Sequence, residues 1–324
     1  MRSALMLVRA VAGLEWLVAE EVTAAGCRVV EVSKRQVVVD GLVEPPRMAD
    51  DVFEVYGVAP DPGRARAGVA AAVQAALPSA PGGGVFAVSA SFVGERNFNR
   101  YDVEDVVGQR LARLTGGRYH SRRDGAVPPD ERTEWRVVLD GKTLWIARRP
   151  YAAPIHRRPW RQHTVPGSLH PPVAAAMAHL ADLAPGHQVL DPFCGAGTIL
   201  LESHLIEPRV TYLGVDRDPT AIAAAQANAA QLVGPSINWR VGDARRVEGS
   251  FDRIVSNPPW GVRVDAATVS AGMRRWREVL RPGGVVVALV LAEQVPRGWT
   301  VLGRHQLAVA GRHPVIVVLG VSRY

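Results

Sequence analysis

The sequence predicts an α/β protein in which a Rossmann-like, doubly wound domain follows a smaller α+β region. From residue 172 onwards, apolar strand-like runs alternate with helical runs, which is typical of a parallel sheet with right-handed crossovers. Residues 5–40 instead follow a strand-helix-strand-strand order, which favours antiparallel pairing. The chain has 324 residues, enough for two or more compact units.

The front part of the chain reads as short α+β units. Residues 13–26 (GLEWLVAEEVTAAG) predict a helix, because the apolar side chains recur at helical spacing before a final glycine. The further predictions are strands at 5–12 and 85–93, two short strands around 33–34, a helix at 103–117, and a hairpin that turns at 140–141.

Residues 154–168 (PIHRRPWRQHTVPGS) are basic and rich in proline, and we interpret them as an inter-domain linker. After this segment the predicted helices are 172–183, 197–206, 219–232 and 269–280, and the predicted strands are 188–193, 210–216, 237–243, 251–257 and 285–292. Residues 299–311 and 313–322 predict an antiparallel edge to the sheet.

Composition narrows the classes of partner and compartment. The chain has 38 Lys+Arg against 31 Asp+Glu, a net charge of +7, and nearly all its cations are arginines, which favours a nucleic-acid partner unless coding bias explains them. Two cysteines give no disulfide framework, which fits a reducing cytoplasm. No apolar run is long enough for a membrane span, so a cytoplasmic protein without a membrane partner is expected.

Acidic residues end three successive strands of the predicted parallel sheet. Asp191 lies in VLDPFCGAGT, Asp216 in GVDRD and Asp243 in VGDARR, each about one strand-helix-strand step after the last. Ligands of doubly wound sheets bind beyond the carboxyl ends of the strands. Gly195 and Gly197 are expected to let the backbone turn tightly near a ligand. Singly, each acid could equally be a helix cap or a solvated loop carboxylate.

The positions of these acidic residues relative to the glycines indicate the type of ligand. A dinucleotide site would favour Gly-x-Gly-x-x-Gly, but Leu200 occupies the third glycine position. A carboxylate beside the glycine turn suits a ligand that carries a cation, so we infer S-adenosylmethionine, with its ammonium, sulfonium and nucleoside. The candidate cofactor-binding residues are Asp191, Cys194, Gly195, Gly197, Thr198, Asp216, Arg217, Asp243, Ala244 and Asn257.

The segment SNPPWG follows the fourth strand and predicts an amine-binding element. Asn257 through its side-chain carbonyl and Pro258 through its backbone carbonyl can accept the two N–H bonds of an exocyclic base amine. Pro258 and Pro259 hold these acceptors rigid, which is preorganisation, and Trp260 offers a face for an unstacked base. A plain turn with Trp260 packed in the core is the alternative.

Covalent and metal-dependent chemistry fit the sequence less well. A cysteine nucleophile is not well placed, because Cys194 lies inside the glycine turn and Cys27 in the other domain. None of the nine histidines falls in a metal-binding repeat, so no metal is expected.

The motifs DPFCGAGTILLE, SNPPWG and GSLHPPVAAAM resemble those of the THUMP-domain tRNA (guanine-N2) methyltransferases, and VFAVSASFVGERNFNRYDVEDVVGQRL resembles their THUMP strand-loop-helix. The resemblance implies a Rossmann-like methyltransferase domain preceded by an α+β ferredoxin-like plus THUMP module. Its implied boundaries are 1–58 (ferredoxin-like), 59–153 (THUMP), 154–168 (linker) and 169–324 (methyltransferase). One departure is Trp260, where the family usually has Tyr or Phe.

The function implied by the resemblance is methylation of a guanine N2 in the acceptor region of tRNA, with a THUMP unit that engages the acceptor stem and 3′ end. A monomer is expected. The alternatives are a ribosomal RNA guanine-N2 or adenine-N6 methyltransferase, or a non-catalytic RNA-binding protein. A phosphate track is predicted from the arginines of the THUMP-like unit and the linker: Arg96, Arg100, Arg110, Arg113, Arg157, Arg158 and Arg161.

Overall fold

The structure is a computed structural model that describes residues 4–42, 44–232, 234, 236–259, 266–291, 298–308, 311 and 313–321, and the backbone alone for 266–271. The chain divides into two compact units: unit 1 comprises residues 1–10 and 18–155, and unit 2 comprises residues 11–17 and 156–324. None of the described helices combines the length and the apolar character that a membrane crossing requires.

Unit 1 is built on one eight-stranded sheet with the order β2-β3-β1-β4-β8-β7-β5-β6. Its strands are β1 (Leu5–Arg9), β2 (Arg28–Ser33), β3 (Gln36–Asp40), β4 (Asp51–Pro60), β5 (Val85–Phe92), β6 (Arg118–His120), β7 (Thr133–Leu139) and β8 (Thr143–Arg148). Its helices are α1 (Glu15–Ala24), which begins among the residues counted with unit 2, α2 (Ala67–Ala76) and α3 (Arg100–Thr115). Among the described strands of this unit, only β5 pairs in parallel, with β6 and with β7.

The predicted boundary between residues 58 and 59 falls inside β4, which pairs with β1 on one side and β8 on the other. The two predicted front domains therefore share one continuous sheet. The sequence reading missed both β4 and α2. It also started α3 too late: Asn99 and Asp102 form a reciprocal capping box that begins this helix at Arg100. The predicted hairpin is confirmed by the antiparallel pairing of β7 with β8.

Unit 2 contains a seven-stranded sheet with the order β11-β10-β9-β12-β13-β15-β14. Its strands are β9 (Gln188–Asp191), β10 (Thr211–Asp216), β11 (Ile237–Val241), β12 (Phe251–Ser256), β13 (Leu280–Val290), β14 (Trp299–Gln306) and β15 (Val315–Val321). Its helices are α4 (Pro171–Leu180), α5 (Thr198–Ile206), α6 (Pro219–Ala229) and α7 (Ala266–Val279). The first five strands in this order are parallel and the last two pair antiparallel, which confirms the predicted sheet and edge.

The core of unit 2 explains why these strands read as apolar runs. Buried side chains of β9, β12, β13 and β15 pack with Trp276 of α7, which is fully buried. Because both faces of the central strands are covered, their sequences lack the alternation of a half-buried strand. The parallel strands β9, β10, β11 and β12 all end at one edge of the sheet, and this edge carries the candidate site.

Candidate active site

A cavity of about 780 Å³ lies at the carboxyl ends of the parallel strands of unit 2. The register sets Gly214 beside Asp191 and Val241 beside Asp216, so the residues at the ends of β9 and β10 and just after β11 converge. The lining includes every predicted cofactor-binding residue except Gly197: Asp191, Cys194, Gly195, Thr198, Asp216, Arg217, Asp243, Ala244 and Asn257. The predicted gathering of acids at one edge is therefore present.

Asp191 is the most perturbed of these acids. Its side chain is almost fully buried, and its Oδ1 accepts hydrogen bonds from Ser256 Oγ at 2.6 Å and from the backbone N–H of Phe193 at 3.1 Å. Its Oδ2 is buried and has no hydrogen-bond partner in the part of the chain that the structure describes. Burial raises the pKa of Asp191 to about 7, an effect that the two hydrogen bonds oppose and the nearby Asp216 charge reinforces. An unpaired buried oxygen of this kind suits a cationic ligand group.

Asp216 orders the glycine turn. Its Oδ2 accepts the backbone N–H of Gly195 at 2.9 Å, and its Oδ1 accepts the N–H of Asp218 at 3.0 Å. A carboxylate has about four acceptor positions, so both oxygens keep capacity for hydroxyl donors of a ligand. The turn is thus tied to the end of the neighbouring strand.

Asp243 has a different environment, because Arg245 already neutralises it. The Arg245 guanidinium donates to both carboxylate oxygens at 2.6–3.0 Å, and the Arg245 backbone N–H donates to Oδ1 at 2.9 Å. These hydrogen bonds lower the pKa of Asp243 to about 2. With both oxygens occupied, Asp243 has little capacity left for an adenine amino group, and this predicted role stays a prediction.

Gly197 corrects one detail of the sequence reading. Its φ is +82°, and a Cβ there would lie 2.6 Å from the Trp239 ring and 3.1 Å from Ala225 Cβ. Glycine is therefore required at this position by the left-handed backbone, as a tight turn predicts, and by packing behind the turn. Gly195 is the glycine that lines the cavity.

Cys194 lies in the turn with its side chain buried. Burial raises the pKa of its thiol, with the Asp191 and Asp216 charges adding to the effect. The thiol therefore stays protonated at neutral pH, which agrees with the reading of Cys194 as a loop residue without a nucleophilic role.

Asn257, Pro258 and Pro259 line the cavity directly after β12. The Asn257 side-chain nitrogen donates to the Gly167 carbonyl at 3.4 Å. This hydrogen bond orients the amide with its nitrogen towards Gly167. Ser256, the residue before it, carries the hydroxyl that donates to Asp191. Trp260, predicted to stack on a base, lies outside the described residues.

Residues 156–169, which we call the strap, form a wall of the cavity that the sequence reading missed. Its residues 165–169 line the cavity, and Val165 lies against the glycine turn, where its Cγ2 would be 3.6 Å from a Cβ on Gly195. These residues stand before the sheet in sequence, so strand-end reasoning could not find them. The motif GSLHPPVAAAM, which overlaps the end of the strap, is the sequence signal that could have identified this wall of the cavity.

Three contacts dock the strap on α5 and α6. Trp160 is buried against Leu201 and Ala229. Arg158 donates to the buried Glu202 at 2.7 Å. The fully buried Asn228 accepts from the His163 backbone N–H at 2.9 Å and donates to the His163 and Ala196 carbonyls at 2.9 and 3.0 Å. Asn228 thus joins the strap to the glycine turn.

The predicted phosphate track is only partly supported by these positions. Arg96 is corrected, because its side chain is 4% exposed and bound bidentately to Asp61, so it is a structural cation. Arg158 is corrected for the same reason, since its guanidinium is held by Glu202. The other predicted arginines divide into those that donate to backbone carbonyls, Arg110 and Arg161, and those that are exposed, Arg100, Arg113 and Arg157.

Comparison with known proteins gives consistent matches. The UPF0020 family model, an RMKL-like methyltransferase domain, matches residues 158–294. The tRNA (guanine(6)-N2)-methyltransferase of Thermus thermophilus is 32% identical over 77% of this chain and 76% of its own length. The crystal structure of TrmN from Thermus thermophilus superposes with a TM-score of 0.79 at 27% identity, covering 97% of this chain and 98% of that one. SMU.472, solved in complex with SAH, has a TM-score of 0.76 at 16% identity over the full length of both chains, which supports the fold.

Proposed function

We propose that this chain, which belongs to the family of tRNA (guanine-N2)-methyltransferases, methylates the exocyclic N2 of guanine 6 in tRNA. Guanine 6 is the target named for the Thermus relative, whose match extends over both units of this chain. The single observation that carries the proposal is the cavity at the strand ends, where the buried Asp191 lies in the same lining as the Asn257-Pro258-Pro259 segment.

The residues present fit S-adenosylmethionine as the methyl donor. When bound, this cofactor supplies an electrophilic methyl group on a sulfonium. Asp191 Oδ2, buried without a partner, would accept the ammonium of the amino acid end. Asp216 keeps acceptor capacity for ribose hydroxyls, and Thr198 Oγ1, which is also buried without a partner, adds a hydroxyl to the same lining.

The target amine is held by acceptors of the chain itself. The lone pair of a guanine N2 is delocalised into the ring, so acceptors on its two N–H bonds favour pyramidalisation and direct the lone pair. The Asn257 side-chain oxygen and the Pro258 carbonyl supply these acceptors, and the two prolines fix them. No base is needed before attack, since the methylated amine becomes acidic and loses its proton afterwards. Stacking of the base on Trp260 belongs to the same proposal.

Unit 1 would bring the RNA to this site. We assign it the ferredoxin-like and THUMP roles, with the acceptor stem and 3′ end of tRNA as its ligand. The exposed arginines Arg100 and Arg113 at the two ends of α3 support this assignment, since phosphate contacts require accessible cations.

The decisive experiment is Asn257→Ala, assayed with transcribed tRNA and labelled methyl donor. Losing one preorganised acceptor should lower kcat by roughly 100- to 1,000-fold, while the affinity for S-adenosylhomocysteine stays within a few-fold. Asn238→Ala, on the exposed face of β11, is the matched control and should keep full activity. Loss of cofactor binding in Asn257→Ala would mean that Asn257 serves the donor instead of the base.

Mapping of the labelled nucleoside tests the substrate. N2-methylguanosine at position 6, abolished when that guanine is replaced by adenosine, is the expected product. Methyl-adenosine, or labelling of ribosomal RNA in preference to tRNA, would overturn the substrate assignment. A protein that binds no cofactor would be a non-catalytic RNA-binding protein.

A further inference from the structure

A second group of polar residues lies on the sheet of unit 1, on the face turned away from α2 and α3. Strands β5 and β7 pair in parallel with Ser89 opposite Arg136. Their neighbours Val88, Ala90, Trp135 and Val137 belong to the core under the helices, so Ser89, Ser91 and Arg136 point to the opposite face. Arg136 donates to Ser91 Oγ at 2.8 Å and to Ser89 Oγ at 3.3 Å.

Arg136 is a partly buried cation whose hydrogen bonds go to neutral hydroxyls alone among the described residues. Its Nε is buried without a partner, and burial lowers the pKa of its guanidinium. Both acids that act on it are already engaged. Glu104 binds Arg122 at 2.8 Å and the Ala90 N–H at 2.9 Å, and Asp51 binds Arg149 at 2.7 Å.

Two further arginines act on the charge of Arg136. Arg122 and Arg35 both act on Arg136 as like charges, and the Nε of Arg122 is a second buried donor without a partner. A cation in this setting is costly unless an anion binds beside it. Arg122 is 32% exposed and Arg136 is partly exposed, so an anion from solvent has access to each side chain.

We propose that Arg136 and Arg122, with Ser91, form a subsite for one phosphate group of the bound tRNA. A guanidinium presents a planar fork of donors that matches two phosphate oxygens, and a serine hydroxyl can add a third hydrogen bond. The subsite rests on the proposed function for its ligand, because only an RNA substrate brings a phosphate chain to unit 1. The position of the subsite, by contrast, is inferred from the charge of Arg136, which no described carboxylate binds.

The first test compares Arg136→Gln with Arg28→Gln in tRNA binding titrations over a range of salt concentrations. Arg28 is a 71% exposed arginine on the edge strand β2 of the same sheet, so both variants lose one positive charge. Arg136→Gln should weaken tRNA binding about tenfold and lower the salt slope by about 1, with kcat at saturating tRNA unchanged. Arg136→Lys, which keeps the charge but loses the fork, should lie between. Equal behaviour of Arg136→Gln and Arg28→Gln would overturn the proposal.

The second test uses inorganic phosphate and thermal unfolding at constant ionic strength. Phosphate should raise the Tm of the wild type and not that of Arg136→Gln. Without phosphate, Arg136→Gln should unfold no earlier than the wild type, because it removes a cation that lacks a carboxylate partner. A large fall in Tm would instead show that Arg136 is a structural group, and would overturn the subsite.

The two tests together separate this subsite from the proposed function. A wild type that binds no tRNA would count against the function, and the phosphate test would then decide the subsite. Phosphate protection that depends on Arg136, together with tRNA binding that does not, would make this a site for free phosphate and overturn its assignment to RNA.

Discussion

The ends of β9 and β11 carry the same signal in the sequence and opposite electrostatics in the structure. Asp191 at the end of β9 is buried, keeps one oxygen without a partner, and has its pKa raised to about 7. Asp243 after β11 is partly exposed, is bound on both oxygens by Arg245, and has its pKa lowered to about 2. Of the two, Asp191 is the carboxylate whose charge a cationic ligand would neutralise.

The difference arises from neighbours. At the end of β9 the nearest donors are neutral, a serine hydroxyl and a backbone N–H, so the cost of burying the charge remains. After β11 an arginine two residues away supplies the counter-charge within the same turn. Acids at strand ends therefore mark the cavity, but local donors decide which acid still requires a ligand.

The largest difference between the two acids is expected when each is neutralised in turn. Asp191→Asn should weaken S-adenosylhomocysteine binding roughly 30- to 100-fold, because the ligand ammonium loses its charged partner. Asp243→Asn should weaken it about threefold, since Arg245 already screens this exposed carboxylate. Calorimetric titration measures both, and thermal unfolding checks that each variant is folded. Equal losses would show that the environments do not matter to the ligand.

The pH dependence of cofactor binding distinguishes Asp191 from Asp243. Below about pH 7 a proton competes with the ammonium for Asp191, so the affinity should fall by up to about tenfold per pH unit. Asp191→Asn should remove this dependence, and Asp243→Asn should keep it, because the pKa of Asp243 lies far below the range. Titrations from pH 5.5 to about pH 7.5 test this.

For the protein without cofactor, the effect of pH on stability has the opposite sign to its effect on cofactor affinity. A carboxyl whose pKa is higher in the folded chain than in the unfolded one favours folding when protonated, so this contribution is lost as pH rises from about 4 to about 7. Unfolding of the wild type should show this loss relative to Asp191→Asn. A wild type that gains stability over this range relative to the variant would contradict the raised pKa.

The smallest expected effect concerns Ser256, which donates to Asp191. Ser256→Ala removes a hydrogen bond to the charged carboxylate, so the pKa of Asp191 should rise and the step in cofactor affinity should move up by about half to one pH unit. Near pH 7 this is about a two- to fivefold loss, because Asp191 of the wild type is already about half protonated there. Ser203→Ala is the matched control, because Ser203 is also fully buried and its hydroxyl has no partner among the described residues. An identical pH profile in both variants would contradict the role of Ser256.

Much of the fold was predictable because its signals are local. The alternation of apolar strands and helices after residue 172 gave the parallel sheet, and Asp140–Gly141 gave the hairpin. Strand β4 and helix α2 were missed because neither has a clear apolar period: β4 mixes acids and a glycine among apolar residues, and α2 is largely alanine. Their existence depends on tertiary partners.

The parts of the site that follow from sheet topology were predictable. The parts that depend on side-chain pairs far apart in the sequence were not. Parallel strands bring Asp191, Asp216 and Asp243 to one edge whatever their neighbours are. Arg158 read as a phosphate contact because its partner Glu202 stands 44 residues further along. Charge is visible in a sequence, but neutralisation by a distant residue requires coordinates.

The strap also limits where a catalytic fragment that keeps this wall of the cavity can begin. A truncated chain starting at the predicted boundary, residue 169, would lack Trp160, His163 and Val165, and one side of the cavity would be open to water. Asn228 would lose its two hydrogen bonds to His163, and Glu202 would lose its ion pair with Arg158. A fragment starting at residue 156 would retain them. Protein engineers who wish to graft this transferase onto an RNA-targeting module should therefore cut ahead of the arginine-proline stretch, because that stretch forms part of the cavity wall.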